Sequence, residues 1–194
     1  MTEICFATNN ANKIKEIEAM LEGKVKLLSL DEIGCNEDLA EDQNTLQGNA
    51  DQKASYVAKN FKINCFADDT GLEVHALNGE PGVYSARYAG PQRSDIDNIK
   101  LLLENLKGAT DRSAQFRTVI CAIINHKKFY FEGVAKGKIA FEISGEKGFG
   151  YDPIFIPDGH ENSFAQMFLV EKNEISHRGK AVRSFVNFLK TNFL

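Results

Sequence analysis

Short apolar runs separated by polar turns predict a β-sheet in this chain. Some runs are apolar throughout, as in buried strands, and others alternate between apolar and polar positions, as in half-buried strands. The predicted strands cover residues 4–7, 25–30, 63–67, 72–77, 116–124, 128–135, 139–144 and 154–156. The polar residues 125–127 separate two β-rich runs, which predicts a long hairpin.

Apolar residues spaced three and four positions apart predict helices between these strands. The first helix is expected to end at Gly23, and the second to begin after Thr45. The third is expected to begin after Ser94 and to end at Gly108. The last has an apolar side formed by Val182, Phe185, Val186, Leu189 and Phe193. Helices mixed with hairpins favour an α/β fold with a mixed sheet.

Composition places the chain among ordinary soluble proteins. Its 194 residues are 43% hydrophobic and 26% charged, which suits one domain spanning residues 1–194. The formal net charge of −4 argues against broad nucleic-acid binding, which needs a basic surface. We expect neither a leader peptide nor a membrane-spanning segment, and we therefore expect a cytoplasmic protein. No C-x-x-C pair occurs among Cys5, Cys35, Cys65 and Cys121, and no His lies at zinc-ligand spacing from any of them, so we expect no zinc site and no disulfide framework.

The first stretch with chemical character is FATNNANK, at residues 6–13. A predicted strand ends there and a helix begins, and the N–H groups at a helix start favour an anion. Thr8, Asn9 and Asn10 add polar groups, and Lys13 adds a positive charge. The same residues fit an asparagine-rich helix cap, so two interpretations stay open at this point.

Two adjacent acids follow a buried strand in FADDTGL, at residues 66–72. Buried acids are costly unless a cation or hydrogen bonds compensate them, and carboxylate oxygens suit Mg²⁺. Because strand neighbours point to opposite faces, Asp68 and Asp69 do not share one metal unless the chain bends, which Gly71 allows. An Asp-x-x-Gly turn is the alternative interpretation.

The aromatic residue in GFGYDP, at residues 148–153, indicates a loop that stacks on a ligand. Gly148 and Gly150 let the backbone approach a ligand closely, and Phe149 is suited to stacking on a flat ring. A strained turn with a packing aromatic explains the same residues.

The densest basic cluster of the chain lies near its C-terminal end. The planar guanidinium of Arg178 suits carbonyl oxygens or phosphates, although a solvated helix start is the plain alternative. The cluster consists of Lys172, His177, Arg178, Lys180 and Arg183. Together the four stretches supply anion donors, acids, a stacking ring and a cationic fork, which fits a nucleotide with Mg²⁺ better than any other common ligand.

These stretches resemble the signatures of a known family. ATNNANK, FADDTGLEVHALNGEPGVYSARYAG, GFGYDPIF and ISHRGKA are similar to motifs of the inosine/xanthosine triphosphate pyrophosphatases, in the family's order. The resemblance implies an elongated α/β fold with two lobes and a central nucleotide-binding cleft, usually in a homodimer. It also implies Mg²⁺-dependent hydrolysis of ITP, dITP and XTP to the monophosphate and pyrophosphate, which cleanses the nucleotide pool.

The resemblance assigns roles to individual residues of this chain. Asp69 is implied to be the catalytic residue, which binds Mg²⁺ or serves as the base. The implied triphosphate contacts are Thr8, Asn9, Asn10, Ala11, Asn12, Lys13 and Lys53. The other implied substrate contacts are Thr70, Phe149, Gly150, Tyr151, Asp152, Lys172, His177 and Arg178.

One position departs from the family pattern. Many relatives carry a metal-linked glutamate in a T-x-x-E-N-A sequence, where this chain has TLQGNA with Gln47 and Gly48. Glu41, in the acidic segment 35–44, is therefore the candidate for the second metal ligand.

Two other functions fit the same residues. One is a related pyrophosphatase for modified pyrimidine nucleotides, and the other is a nucleotide-sensing module that binds without turnover. The phenylalanines of the last helix, Phe185, Phe188 and Phe193, fit either a core or the interface with a second copy.

Overall fold

The computed structural model describes residues 2–21 and 25–193. The α-helices within these residues are α1 (Ala11–Leu21), α2 (Leu46–Phe61), α3 (Asp95–Asn105), α4 (Leu169–Ile175) and α5 (His177–Asn192). The strands are β1 (Thr2–Phe6), β2 (Val25–Leu28), β3 (Cys65–Val74), β4 (Pro81–Gly82), β5 (Ser113–Ile124), β6 (Lys127–Ile139) and β7 (Phe155–Pro157). Short 3₁₀ turns lie at His75–Leu77, Ser85–Arg87, Asp152–Ile154 and Phe164–Gln166.

The strands of the described chain form one mixed sheet. Its order is β2-β1-β3-β5-β6-β7, and β4 pairs with β3. Strand β1 is parallel to both β2 and β3, with Cys5 opposite Cys65 and Phe6 opposite Phe66. The pairs β3–β4 and β6–β7 are antiparallel. The expected mixed α/β sheet is therefore confirmed.

The chain divides into two compact units. Unit 1 consists of Met1–Asp69, Thr118–Gly133 and Arg178–Leu194, and unit 2 of Thr70–Arg117 and Val134–His177. The strands β3, β5 and β6 each contribute residues to both units. The division falls between Asp69 and Thr70 and again between His177 and Arg178, so it cuts two of the motifs found in the sequence.

Strand alternation gives unit 1 two separate apolar cores. Ile4, Phe6 and Phe66 pack in a cluster that also contains side chains of α1 and α5. Cys5 and Cys65, one position away on the same strands, belong to a second cluster with side chains of α2. Because successive strand residues point to opposite faces, α1 and α5 cover one face of this part of the sheet and α2 covers the other.

Unit 2 has one core, rich in aromatic side chains. Phe116 packs edge-on against Phe155, with ring centroids 4.7 Å apart, and Phe155 packs against Phe164. The hydroxyl of Tyr151 is buried and donates to the backbone oxygen of Ser85 at 2.9 Å, so its polar group is satisfied inside the core.

The predicted caps and hairpin are confirmed. Thr45 accepts a hydrogen bond from the backbone N–H of Gly48 at the start of α2, and Ser94 accepts one from Asp97 at the start of α3. Strands β5 and β6 are joined by Asn125 and His126, which both have positive φ. Two-residue hairpin turns of type I′ require that conformation at both positions, and Asn and His adopt it more readily than most residues.

Several boundaries predicted from the sequence were wrong. Strand β3 does not end at the two acids but continues through them to Val74, so they lie inside the strand. The separate strand predicted over 139–144 does not form, because β6 extends to Ile139. Helix α3 ends at Asn105, before Gly108, and the short helix α4 was not predicted. The stop predicted at Gly23 lies outside the described residues.

The aromatic tail packs into the core. Phe185 is buried in unit 1, and Phe188 packs against the same cluster, 4.5 Å from the Phe129 ring. Phe193 also packs against this cluster. The four cysteines are buried free thiols. Within the described residues, no helix has both the length and the apolar character needed to cross a membrane.

Candidate functional site

Asp68 and Asp69 lie on opposite faces of β3 within unit 1. Asp68 shares a face with Phe66 and is directed at groups of α1 and α5, whereas Asp69 shares a face with Ala67 and contacts α2. This arrangement follows from the two-residue period of a strand and confirms that the two acids do not face the same way. The bend that Gly71 allows is not needed, because β3 is continuous there.

Asp68 is fully buried among cations. The ammonium of Lys13 donates to its Oδ1 at 2.8 Å, and Nε of Arg178 donates to its Oδ2 at 3.4 Å. Arg178 also donates through Nη1 to Glu16 at 2.5 Å. Burial alone raises the pKa of Asp68, but the charges of Lys13, Arg178 and Lys53 outweigh it and hold that pKa below its usual value.

Asp69 lies in a different electrostatic environment. Nδ2 of Asn49 donates to its Oδ2 at 2.8 Å, and its side chain is nearly buried. Burial raises the pKa of Asp69 above its usual value, and the negative charge of Glu41 raises it further, against the opposing effects of Lys53, Lys13 and Asn49. A carboxyl group with a raised pKa is suited to accepting a proton.

Lys53 connects α2 to both the acidic segment and β3. Its ammonium donates to Oε1 of Glu41 at 2.6 Å and to the backbone oxygen of Asp68 at 2.7 Å. Burial alone lowers the pKa of Lys53, but Glu41, Asp68 and Asp69 outweigh it and raise that pKa above its usual value. Lys53 therefore stays charged and neutralises this group of acids.

The donor set around Asp69 suits a magnesium ion that is bound mainly through substrate. The described residues contain no group of three or more His, Cys, Asp or Glu side chains placed to hold a metal by themselves. Mg²⁺ does not require such a group, because it commonly takes one or two carboxylates together with phosphates and water. The carboxylates of Asp69 and Glu41, both near Lys53, supply hard oxygen donors of that kind.

The space that a side chain at position 48 would fill is taken up by neighbouring side chains. A Cβ built on Gly48 would lie 2.8 Å from Cβ of Gln43 and 3.0 Å from Oγ1 of Thr45. A glutamate at position 48, as in the family pattern, would therefore require Gln43 to move. The acidic segment is packed against α2 at the place where the usual glutamate is missing.

The loop before α1 is self-capped. Oδ1 of Asn10 accepts hydrogen bonds from the backbone N–H groups of Asn12 and Lys13, at 3.0 and 3.2 Å. Oγ1 of Thr8 accepts from the backbone N–H of Asn10 at 3.2 Å. Asn9, Asn10, Ala11 and Asn12 are exposed. The asparagine cap foreseen as one interpretation is present, and the triphosphate contacts remain a prediction.

In unit 2, the loop at 148–152 is held by acidic side chains. Oδ2 of Asp152 accepts from the backbone N–H of Phe149 at 2.9 Å, and Asp95 accepts from that of Gly150 at 2.7 Å. Gly148 has φ +77°, and a Cβ there would lie 2.0 Å from Oδ2 of Asp152. Only glycine fits this approach, so the motif's glycine pattern has a steric cause.

Lys172 joins this loop through a buried ion pair. Its ammonium lies 2.7 Å from Oδ2 of Asp152 and 5.2 Å from the centre of the Phe149 ring. The adjoining His177 is buried, and its ring stacks on Phe116 at 4.5 Å. Phe149, Lys172 and His177, all from the predicted set, therefore lie in unit 2. Thr70, also in unit 2, is half-buried on β3.

Three contacting residues were not predicted from the sequence. Asn49 bonds to Asp69, Glu16 pairs with Arg178, and Asp95 holds Gly150. Asn49 carried a detectable signal, because a polar residue on the apolar stripe of an amphipathic helix needs a buried partner. Glu16 had the same signal beside the stripe of α1. Asp95 looked like an ordinary acidic residue at a helix start.

Comparison with known proteins agrees with the motifs. The model of the Ham1 family matches residues 4–188, and this chain belongs to that family. A dITP/XTP pyrophosphatase of Flavobacterium psychrophilum is 56% identical over 188 residues, covering 97% of this chain and 99% of that protein. One from Porphyromonas gingivalis is 54% identical over 190 residues, covering 97% and 98%.

Solved structures show the same fold. The Staphylococcus aureus Ham1 protein is 40% identical and superposes with a TM-score of 0.90, covering 98% of this chain and 99% of that one. A HAM1 protein from Coxiella burnetii is 38% identical, with a TM-score of 0.91 and coverage of 98% and 100%. The family resemblance read from the sequence is therefore confirmed.

Proposed function

We propose that this chain hydrolyses the non-standard purine nucleotides ITP, dITP and XTP to the nucleoside monophosphate and pyrophosphate. The observation that carries the proposal is the separation of two adjacent carboxylates onto opposite faces of β3, where Asp68 pairs with Lys13 and Arg178 and Asp69 bonds to Asn49. Environments that push two carboxyl pKa values apart are typical of acid–base sites. The names of the relatives, dITP/XTP pyrophosphatase, support the choice of substrate.

The reaction is water attack at the α-phosphorus. A bond forms between the water oxygen and that phosphorus, the bond to the bridging oxygen breaks, and pyrophosphate leaves with the electron pair. Asp69 orients the water and takes its proton. Lys13, Lys53 and the loop from Thr8 to Asn12 hold the triphosphate, so that positioning and charge neutralisation carry most of the rate enhancement.

Asp69 and Glu41 are the proposed ligands of Mg²⁺. When bound, Mg²⁺ supplies charge neutralisation on the phosphate oxygens. The ion pair of Glu41 with Lys53, at 2.6 Å, supports this assignment because it places the Glu41 carboxylate close enough to Asp69 to influence its charge. With Gly48 in place of the family's glutamate, Glu41 takes the role of the second ligand.

Base recognition is proposed for unit 2 and the start of α5. Phe149 stacks on the purine, while Thr70, Gly150, Tyr151 and Asp152 line the base and sugar. The proposed donors to the 6-oxo group of hypoxanthine or xanthine are Lys172 and the backbone N–H groups of His177 and Arg178 at the start of α5. An adenine 6-amino group would leave those donors unpaired, at about 1–3 kcal/mol per group.

The side chain of Arg178 is proposed to act on the phosphate side. Its Nε and Nη1 contact Asp68 and Glu16, and Asp68 in turn holds Lys13. This chain of contacts keeps the Lys13 ammonium in place within unit 1. In this proposal, the backbone of Arg178 takes part in base selection. Its guanidinium holds Asp68, which in turn positions Lys13 for phosphate binding.

We also propose that residues 1–194 form a single catalytic domain and that the protein is a cytoplasmic homodimer. Its proposed ligand is a nucleotide, and we expect it to bind neither nucleic acid nor membranes. Exposed apolar side chains support association of two copies. Phe141, Phe168 and Val170 are each more than 70% exposed. Light scattering during size-exclusion chromatography at micromolar concentration is expected to give twice the mass of the 21.6 kDa chain, and a monomer mass would contradict this.

A turnover assay tests the main proposal. Wild-type protein is incubated with ITP, XTP, dUTP or ATP and Mg²⁺, and the products are separated and identified. Pyrophosphate and IMP from ITP, with little product from ATP, are expected. Release of orthophosphate alone would overturn the proposal, preference for dUTP would favour a pyrimidine pyrophosphatase, and tight binding without turnover would favour a sensing module.

A further inference from the structure

One face of α2 is lined with polar side chains that contact the acidic segment. Asn49, Gln52, Lys53 and Tyr56 are spaced three, one and three positions apart, which places them along the same side of a helix. Each of them bonds to a residue between 37 and 43. These paired contacts within unit 1 are called the α2 ladder below.

In the α2 ladder, positions later in the helix contact positions earlier in the acidic segment. Asn49, nearest the start of α2, accepts from the backbone N–H of Gln43 at 2.9 Å. Gln52 bonds to Asp42, and Lys53 pairs with Glu41 at 2.6 Å. Tyr56, farthest along the helix, donates to Glu37. The acidic segment therefore lies antiparallel to α2, because its contacts move back along the segment as they move forward along the helix.

Gln52 makes two bonds to the same partner. Its Nε2 donates to Oδ1 of Asp42 at 2.7 Å, and its Oε1 accepts from the backbone N–H of Asp42 at 3.3 Å. One amide side chain thus fixes both the carboxylate and the backbone of Asp42. Because Asp42 adjoins Glu41, the orientation of the Glu41 side chain depends on how firmly its neighbour is held.

Lys53 alone does not define where Glu41 lies. A lysine ammonium is a compact charge on a flexible stem and follows its partner with little cost in geometry. The two-point contact of Gln52 restrains the backbone directly, and Gln43 adds a bond from Nε2 to Oδ1 of Asp42 at 2.8 Å. Gln43 also fills the space beside Gly48, where a longer side chain would displace it.

We propose that Gln52 is a positioning residue that sets Glu41 for binding of the divalent metal ion. The inference rests on the proposed function, in which Glu41 is the second metal ligand. It explains how a chain with Gly48 in place of the family's glutamate keeps a well-placed carboxylate near Asp69. Gln52 itself touches neither metal nor substrate and acts through Asp42.

The test compares Gln52→Met and Gln52→Glu with wild type. Methionine keeps the length and helix preference of glutamine but has no strong donor or acceptor. Glutamate keeps the acceptor, loses the donor and adds a like charge beside Asp42. The expected result is a rise in the Mg²⁺ concentration for half-maximal ITP turnover, about three- to tenfold for Gln52→Met and more for Gln52→Glu. The kcat at saturating Mg²⁺ is expected to stay within about twofold, because a positioning defect is overcome by metal.

A second readout does not depend on turnover. Amide hydrogen exchange measured by NMR is expected to accelerate at Asp42 by about tenfold in Gln52→Met, since its acceptor is lost. Gln115→Met is the matched control, because Gln115 donates to Glu73 at 2.7 Å within unit 2. That variant is expected to leave both the Mg²⁺ requirement and the exchange of residues 37–43 unchanged.

The outcomes separate this inference from the proposed function. If wild type does not turn over ITP, the proposed function fails and the role of Gln52 fails with it. If wild type is active but Gln52→Met keeps the wild-type Mg²⁺ requirement, only the role of Gln52 is overturned. Unchanged exchange at Asp42 would overturn the α2 ladder as a restraint on the acidic segment.

Discussion

Asp68 and Asp69 are neighbours in the sequence, yet the two faces of β3 give them opposite environments. Asp68 meets the cations of Lys13 and Arg178 in a fully buried network, and its pKa is held low. Asp69 meets the neutral amide of Asn49 and lies in a group that includes other acids, and its pKa is raised. The first is therefore suited to stabilising the fold and the second to exchanging protons.

This difference follows from the strand geometry rather than from the residue type. The two-residue period sends one acid towards α1 and α5 and the other towards α2. Each helix then supplies its own partners. A sequence motif of two identical acids thus encodes two roles, and the following substitutions are expected to separate them.

The largest effect is expected from Asp69→Asn. The variant loses the proton acceptor and one proposed metal ligand, so kcat for ITP should fall by about 10³- to 10⁴-fold. Its stability should not fall, because the neutral amide removes a charge that burial disfavours. Steady-state pyrophosphate release and thermal unfolding measure the two effects. Activity within tenfold of wild type would refute the catalytic role.

Asp68→Asn is expected to show the reverse pattern in stability. It leaves Lys13 and Arg178 buried without their shared carboxylate, and the free energy of unfolding should fall by about 3–5 kcal/mol. Urea denaturation of wild type and both variants measures this difference. The comparison would fail if Asp68→Asn were as stable as Asp69→Asn.

Acidification is expected to change the stability of the two variants in opposite directions relative to wild type. A lowered native pKa means that the contribution of Asp68 is present above its unfolded pKa, about 3.9, and is lost as the pH falls through the native value. Asp69 has a raised native pKa, so its ionised form destabilises the native protein. That destabilisation is removed as the pH falls through the native pKa of Asp69 towards its unfolded pKa. Between pH 7 and pH 3, in the presence of EDTA, Asp68→Asn should lose less stability than wild type and Asp69→Asn more.

The smallest effect is expected from Asn49→Ala. It removes the hydrogen bond to Asp69 and the one that Asn49 accepts from the backbone N–H of Gln43. The free energy of unfolding should therefore fall by about 1–2 kcal/mol, and the barrier to turnover should rise by about 1 kcal/mol, which is roughly tenfold or less in kcat. Thr45→Ala, at the start of the same helix, is the control, because its cap supports α2 without contacting Asp69. That variant should lose similar stability while retaining kcat. Equal kcat losses in both would show that Asn49 acts only on the helix.

Local patterns predicted most of the fold. The caps at Thr45 and Ser94 and the hairpin at Asn125 follow from short-range chemistry and are present as expected. The end of β3 was mispredicted because polar acids resemble a strand terminus, whereas their partners come from helices far away in the sequence. Whether a pair of adjacent acids is buried depends on tertiary contacts, which a short stretch of sequence does not reveal.

The candidate site was only partly predictable for the same reason. Its motifs assigned roles to Asp69, Phe149 and Lys172 through a resemblance that covers nearly the whole chain, and these roles stay predictions. The partners Asn49 and Asp95 could not be assigned, because their contacts depend on how α2 and α3 pack. The role of a polar side chain on a helix is fixed by what the next element places beside it.

The most direct test of the separation is an NMR titration of the metal-free protein. The carboxyl ¹³C shifts of Asp68 and Asp69 are followed from pH 2 to pH 8, with Asp68→Asn and Asp69→Asn used for assignment. The predicted result is a midpoint below the ordinary aspartate value of about 3.9 for Asp68 and above it for Asp69. Equal midpoints, or the reverse order, would contradict the assignment of a stabilising role to Asp68 and a chemical role to Asp69.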